Sequence, residues 1–255
     1  MARIIAVVNQ KGGVGKTTTS INLGAYLARA GYRVLLVDLD PQANATSGLG
    51  VDHQALEKGV YEVLISPVAM KDVVIATPIE NYHLVPATLS LAGASVELVP
   101  LDRREFLLRD NLAELANDYD YIIIDSPPSL GLLTINGLVA ANEVLVPVQS
   151  EYYSLEGLGQ LMETIDLVKD NLHPDLKMLG VVLTMYDPRF RLSAAVLEEL
   201  YKYFPAGQIF RSVIPRNVRL AEAPSFGQTI FHYDPKSPGA KAYKKLAEEV
   251  HRSKP

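Results

Sequence analysis

The sequence predicts an α/β protein, a mostly parallel, twisted sheet covered by helices on both faces. Three observations predict it. Short apolar runs rich in β-branched residues alternate along the chain with segments of helical periodicity. The first run leads into a glycine-rich loop that opens a helix. Later runs end in aspartate, at the sheet edge where open α/β proteins bind ligands.

The elements follow in order. Residues 3–9 form a short strand stopped by the glycine loop. Residues 16–30 repeat apolar positions at Ile21, Leu23, Ala25, Leu27 and Ala28, and Gly31 stands just past the helix end. Residues 33–38, RVLLVD, are a second strand. Residues 46–101 are less regular and hold short helices, loops and a weak strand over 82–86. Strands are then expected over 121–125 (YIIID), 143–148 (EVLVPV), 178–184 and 210–214. Helices are expected over about 103–117, 131–141, 155–171, 193–203 and 239–252. No linker, repeat or low-complexity tract interrupts the 255 residues, so a single domain over 1–255 is expected.

Composition narrows the chemistry. Hydrophobic residues make up 48 %, enough for a sizeable core. There is no cysteine, which removes disulfides, thiolate metal sites, iron–sulfur ligation and thiol nucleophiles together. The apolar run at 4–8 is too short for a signal peptide, and no apolar stretch reaches membrane-spanning length. A soluble cytoplasmic protein is expected. The net charge of −5 is unevenly spread: residues 186–255 carry 12 Lys+Arg against 7 Asp+Glu, or +5, leaving −10 for residues 1–185. Such asymmetry fits an anionic partner for the C-terminal part, and equally a solvated helical surface.

The loop after the first strand reads Lys11-Gly12-Gly13-Val14-Gly15-Lys16-Thr17-Thr18. The strict Gly-x-x-x-x-Gly-Lys-Thr pattern fails at its first glycine, where Gln10 stands. The physics survives. Three glycines let backbone N–H groups converge on phosphate oxygens, and the helix N-terminus favours an anion. Lys16 can reach the terminal phosphates, the Thr17 hydroxyl can ligate Mg²⁺, and Thr18 can donate to an inner phosphate. Asp38, Asp40 and Asp125 end the neighbouring strands. Carboxylates there can hold Mg²⁺ directly or through water, or merely cap turns. No Asn-Lys-x-Asp guanine motif occurs. The nearest string, Thr184-Met185-Tyr186-Asp187, lacks the lysine, so ATP is preferred.

The strings KGGVGKTTT, DLDPQANAT, DSPPSLG and VIPRNVRLAEAPSFGQTIFHYDPKSPGAKAY occur in that order. Together they resemble the ParA-type (Soj-like) partition ATPases of the deviant Walker A (MinD/ParA) P-loop family, over essentially the whole chain. The resemblance implies a P-loop NTPase fold and an Mg²⁺-dependent ATPase that forms a homodimer around ATP. It implies that Lys11 crosses the dimer interface to the partner's phosphates. An anion in a desolvated interface attracts a lysine far more strongly than in water. It further implies that Asp40 orients the attacking water, with Asp38 nearer the Mg²⁺ hydration shell. A single positioned carboxylate without an arginine finger fits slow turnover. Glu151 is implied to approach the nucleotide across the dimer, and Pro215 and Asn217 to contact adenine.

The implied partners are non-specific double-stranded DNA and a ParB-like DNA-binding protein, with a nucleoid-associated location. DNA binding is assigned to Arg189, Arg191, Arg216 and Arg219. Lys202, Lys241, Lys244 and Lys245 suit that role or a solvated helix face equally. The alternative is a MinD-like membrane-associated or other cargo-positioning ATPase. Membrane docking needs a large apolar face on the last helix, whereas Ala242, Tyr243, Leu246, Ala247 and Val250 are few and small, so no stable membrane anchor is expected. A nitrogenase-iron-protein-like carrier needs cluster thiolates, which are absent. Tyr152 and Tyr153, after the 143–148 strand, read as core residues or dimer contacts.

Overall fold

The structure, a computed structural model, describes residues 1–151 and 156–253. Tyr152 and Tyr153 lie outside the described residues. Among the described residues seven strands form one sheet: β1 Arg3–Val7, β2 Val34–Asp38, β3 Ile75–Ala76, β4 Tyr82–Val85, β5 Tyr121–Asp125, β6 Glu143–Gln149 and β7 Lys177–Thr184. Their spatial order is β3-β4-β2-β5-β1-β6-β7, parallel throughout except for the β3–β4 pair.

The helices are α1 Lys16–Arg29, α2 Asn44–Gly48, α3 Val60–Ile65, α4 Leu91–Glu97, α5 Leu107–Leu112, α6 Leu132–Ala140, α7 Glu156–Asn171, α8 Arg191–Tyr203, α9 Val218–Glu222, α10 Ile230–Tyr233 and α11 Pro238–Arg252. Both sheet faces are covered, which is why the strands are apolar without alternation. Ile5, Val7, Leu36, Ile123 and Leu145 point to one face, where α1 and α11 pack through Leu23, Leu27, Tyr243, Leu246 and Val250. Val37, Ile122 and Ile124 point to the other, beneath α3 to α6, and Val144, Val146 and Val148 lie under α7 and α8.

Register places the site. Val7 and Asp38 are both paired with Asp125 on either side of β5. The end of β1, where the glycine loop begins, therefore lies one strand away from one aspartate and two from the other.

Two expected elements are corrected. Residues 210–214 are not a strand. They run alongside β7, with Phe210 N donating to Val181 O and Ile214 N to Leu183 O, but the ladder breaks between. The amides of Arg211 and Ser212 donate instead to the Glu249 carboxylate of α11, at 2.7 and 3.0 Å. The helix expected over 103–117 shrinks to α5 and a 3₁₀ turn at Ala113–Leu115. Arg103 has φ 54°, a left-handed conformation that cannot continue a helix. Asn136 fixes the start of α5 by accepting from Leu108 N and donating to Arg104 O. The short β3, α9 and α10 carry too little periodicity to be read in advance.

Candidate nucleotide site

The loop between β1 and α1 is shaped by its glycines. Gly13 and Gly15 have φ 75° and 89°, values that side chains rarely adopt. Gly15 stands at the N-cap of α1 and makes no side-chain cap, so the first-turn amides remain directed at the loop. A cavity of about 540 Å³ opens there. It is lined by Gly12, Gly13, Gly15, Lys16, Thr17, Thr18, Asp40 and, from the far wall, Pro224 and Gln228. A second cavity of about 370 Å³ continues past Gly15 and Thr18, between Met185, Ile214, Pro215, Asn217 and Tyr243. Val14 is buried behind the loop, and its carbonyl accepts from Thr184 Oγ1 at 2.7 Å.

Lys16 is buried, and its ammonium donates to the Lys11 carbonyl at 3.2 Å. Burial lowers its pKa, opposed by the charges of Asp125 and Asp40. Beneath it, Asp125 is fully buried and accepts from Thr17 Oγ1 and Ser20 Oγ, each at 2.7 Å. Asp38, also fully buried, accepts from Thr46 N at 2.8 Å, Thr46 Oγ1 at 2.7 Å and Asp40 N at 3.2 Å. Burial pushes the Asp125 carboxyl up to about 6, with the Thr17 and Ser20 hydroxyls opposing. Burial and then the Asp125 charge push Asp38 up to about 7, with Thr46 and the Asp40 amide opposing.

The residues present fit a magnesium nucleotide. Two buried carboxylates in adjacent strands favour a cation nearby, and the donors around Thr17 are hard oxygens suited to Mg²⁺. Among the described residues no group of three or more His, Cys, Asp or Glu forms a metal cage.

Asp40 lines the larger cavity, and its carboxylate accepts from Gln42 N at 3.0 Å. The Asp38 carboxylate is turned to Thr46 and the Asp40 amide rather than to the cavity, so it sets the shape of the loop that carries Asp40. Thr46 is the functional partner that sequence reading missed. It also holds Ala87 N, at 3.0 Å, and lies eight residues after Asp38 on the short α2. Ala43 and Met185 edge this region in left-handed conformations, φ 52° and 51°. Strain of this kind is retained where the surroundings over-determine it.

Pro215 and Asn217 both line the second cavity. Asn217 Oδ1 already accepts from Arg219 N at 2.9 Å as the cap of α9, which leaves its amide Nδ2 as the group for a base. At the rim, Glu151 stands 3.7 Å from Lys11 Nζ and 3.4 Å from Arg216 Nη2. Arg189 pairs with Asp187 at 2.6 Å, and Arg219 with Glu222 at 2.8 Å and Asp234 at 3.8 Å. Arg191 opens α8, exposed and without an ion pair among the described residues.

Comparison with known proteins agrees with this geometry. A family model described as an AAA domain matches residues 2–178. The sporulation initiation inhibitor protein Soj of Bacillus subtilis is 56 % identical over 250 residues, covering 98 % of both chains. The chromosome-partitioning ATPase Soj of Thermus thermophilus is 54 % identical, covering 97 % of this chain and 95 % of its own. Among solved structures, a Mycobacterium smegmatis protein described as cobyrinic acid a,c-diamide synthase, with bound ADP and magnesium, superposes with a TM-score of 0.87. It is 42 % identical and covers 99 % of this chain and 95 % of its own.

Proposed function

The chain belongs to the Soj/ParA family of chromosome-partitioning ATPases, and from that membership we propose a cycle in which it pairs around ATP, holds duplex DNA in that form and lets go on hydrolysis. It is an ATPase that uses ATP with Mg²⁺. The whole of residues 1–255 acts as one ATPase domain, since one sheet carries both the loop and the base pocket.

Within the site, Lys16 and the loop amides of Gly12 to Thr18 hold the phosphates. Thr17, backed by Asp125, would hold Mg²⁺, which when bound supplies positive charge to the phosphate oxygens. Asp40 orients the attacking water, and Asp38 fixes the Asp40 loop. One carboxylate acting alone gives slow turnover. A ParB-like partner accelerates it. Lys11 crosses to the partner protomer's nucleotide, and Glu151 approaches from the same side. Arg189, Arg191, Arg216 and Arg219 meet DNA phosphates without reading bases, so the ATP form sits on the nucleoid.

The observation that carries this reading is the shared rim. Glu151 lies between Lys11, the lysine of the dimer contact, and Arg216, an arginine of the DNA contact. Events at one are electrostatically felt at the other. Against MinD-like membrane docking, the apolar side of α11 is already buried on the domain: Tyr243, Leu246 and Val250 are each 0–1 % exposed. Among the described residues no helix is long and apolar enough to cross a membrane. Co-sedimentation with two unrelated duplexes, and with anionic liposomes, in ATP and in ADP, tests the choice. Retention on both duplexes in ATP alone is expected. Retention on liposomes, or equal DNA retention in both nucleotides, refutes the reading.

A further inference from the structure

Of Arg189, Arg216 and Arg219, the three DNA-assigned arginines that make ion pairs, Arg189 is the most exposed and also the most firmly held. Its side chain is 83 % exposed, whereas that of its partner Asp187 is 9 % exposed. Arg189 Nε donates to Asp187 Oδ1 at 2.9 Å and Nη2 to Oδ2 at 2.6 Å. The same carboxylate accepts from the Arg189 backbone amide at 3.0 Å. A bidentate pair of this kind fixes the plane of the guanidinium as well as its position. It occupies Nε and one edge of Nη2, and leaves both hydrogens of Nη1 unused by Asp187.

The carboxylate is itself mounted on the nucleotide site. Met185, two residues before it, lines both cavities, and its carbonyl accepts from Ser150 Oγ at 2.9 Å. Tyr186 is bridged to the base-pocket segment, its amide donating to Ile214 O at 3.0 Å and its carbonyl accepting from Arg216 N at 3.1 Å. Asp187 also lies close enough to Arg216 for that charge to act on it. Arg219 is different. It sits between Glu222 and Asp234, so acids flank it on two sides.

We propose that Asp187 is a positioning residue for DNA binding, holding Arg189 in the orientation in which its free edge meets a backbone phosphate. An exposed arginine loses much rotamer freedom when it takes a phosphate. The Asp187 clamp removes that loss in advance, because the guanidinium is already fixed in the unbound protein. The competing possibility is that the carboxylate occupies Arg189 in place of phosphate and weakens binding. The two-point contact favours positioning. The carboxylate takes Nε and one edge of Nη2 and uses neither hydrogen of Nη1. This inference rests on the DNA reading above.

The test is a double-substitution cycle on the full chain with Mg²⁺-ATP, read by anisotropy on two unrelated duplexes over a salt series. Asp187→Asn should weaken binding about five- to tenfold per protomer. It should also lower the slope of log K against log salt by about 0.9 for the phosphate lost. Added to Arg189→Ala, it should have no further effect, whereas a merely structural role would weaken both backgrounds alike. Melting curves report whether the variant folds, and Asp187→Ser replaces it in the cycle if it does not. Unchanged or tighter binding by both Asp187 variants overturns the inference while the DNA reading stands. Failure of the unsubstituted protein to bind either duplex overturns the DNA reading and the inference with it.

Discussion

At the scale of single residues, Lys11 and Lys16 share one loop and differ in surroundings. Lys16 is buried among the floor carboxylates, and Lys11 stands at the rim beside Glu151. Lys11→Ala should therefore keep ATP binding and lose ATP-dependent dimerisation. Light scattering after size exclusion checks this, and a variant that still pairs in ATP sinks the crossing role. Asp40→Ala removes a carboxylate that lines the cavity without supporting its floor. ATP binding should survive and single-turnover hydrolysis should stop; hydrolysis near the unsubstituted rate would show that another group orients the water. Asp38 and Asp125 give a pH dependence. Their folded values, about 7 and about 6, lie above the unfolded value near 4. Between those limits the native state holds more protons than the unfolded chain, so their contribution is full below about pH 4 and is lost as pH rises toward 7. The nucleotide-free, metal-free protein should melt a few degrees lower at pH 7.5 than at pH 5.5, and a Mg²⁺–ATP analogue should close the gap. A melting temperature that climbs steadily across that range contradicts the assignment.

At the scale of elements, α1 shows packing overriding propensity. Alanine is a better helix former than glycine by about 1 kcal/mol, so Gly24→Ala would stabilise an isolated helix. In the fold, a β-carbon on Gly24 would fall 2.5 Å from the Tyr82 ring and closer still to its hydroxyl. Tyr82 is fully buried, and its hydroxyl donates to the Ile21 carbonyl at 3.2 Å. The net effect should be a loss of about 1–3 kcal/mol, read by urea unfolding. A stabilised variant would mean that β4 yields easily. Elements such as α1 and β5 were legible in the sequence because their signals are local: a glycine loop, a periodic face, an apolar run ended by aspartate. The phosphate loop was legible for the same reason, as was the placing of Asp38 and Asp125 at strand ends. Residues 210–214 were misread because the acceptor that takes their amides, Glu249, comes from a helix far along the chain. Thr46 was missed because α2 is a single turn, too short to show a period, and Asp187 because it lies in the loop after β7.

At the scale of the molecule, Arg3 ties β1 and β6 to the end of α11. Its guanidinium pairs with the buried Glu143 of β6 and donates to Val250 O at 2.5 Å and Ser253 Oγ at 3.1 Å, at the end of α11. Arg3→Ala leaves a buried carboxylate unpaired and should cost about 3–5 kcal/mol. Arg3→Met combined with Glu143→Leu should recover most of that in thermal melts, because the unpaired charge goes too; a double variant no better than Arg3→Ala would show that the helix contact matters more than the charge. The same connectivity constrains biosynthesis. β1 leaves the ribosome early, but its neighbours are β5 and β6, and the last partner of Arg3 belongs to the final helix. The phosphate loop is translated long before Asp125, and the base pocket is finished only by the segment from Ile214 to Ala221 and by Tyr243. A nascent chain halted before α9 thus has a complete loop and an open wall where the base belongs. The proposed pairing around ATP is therefore expected only once α9 and α11 have been made.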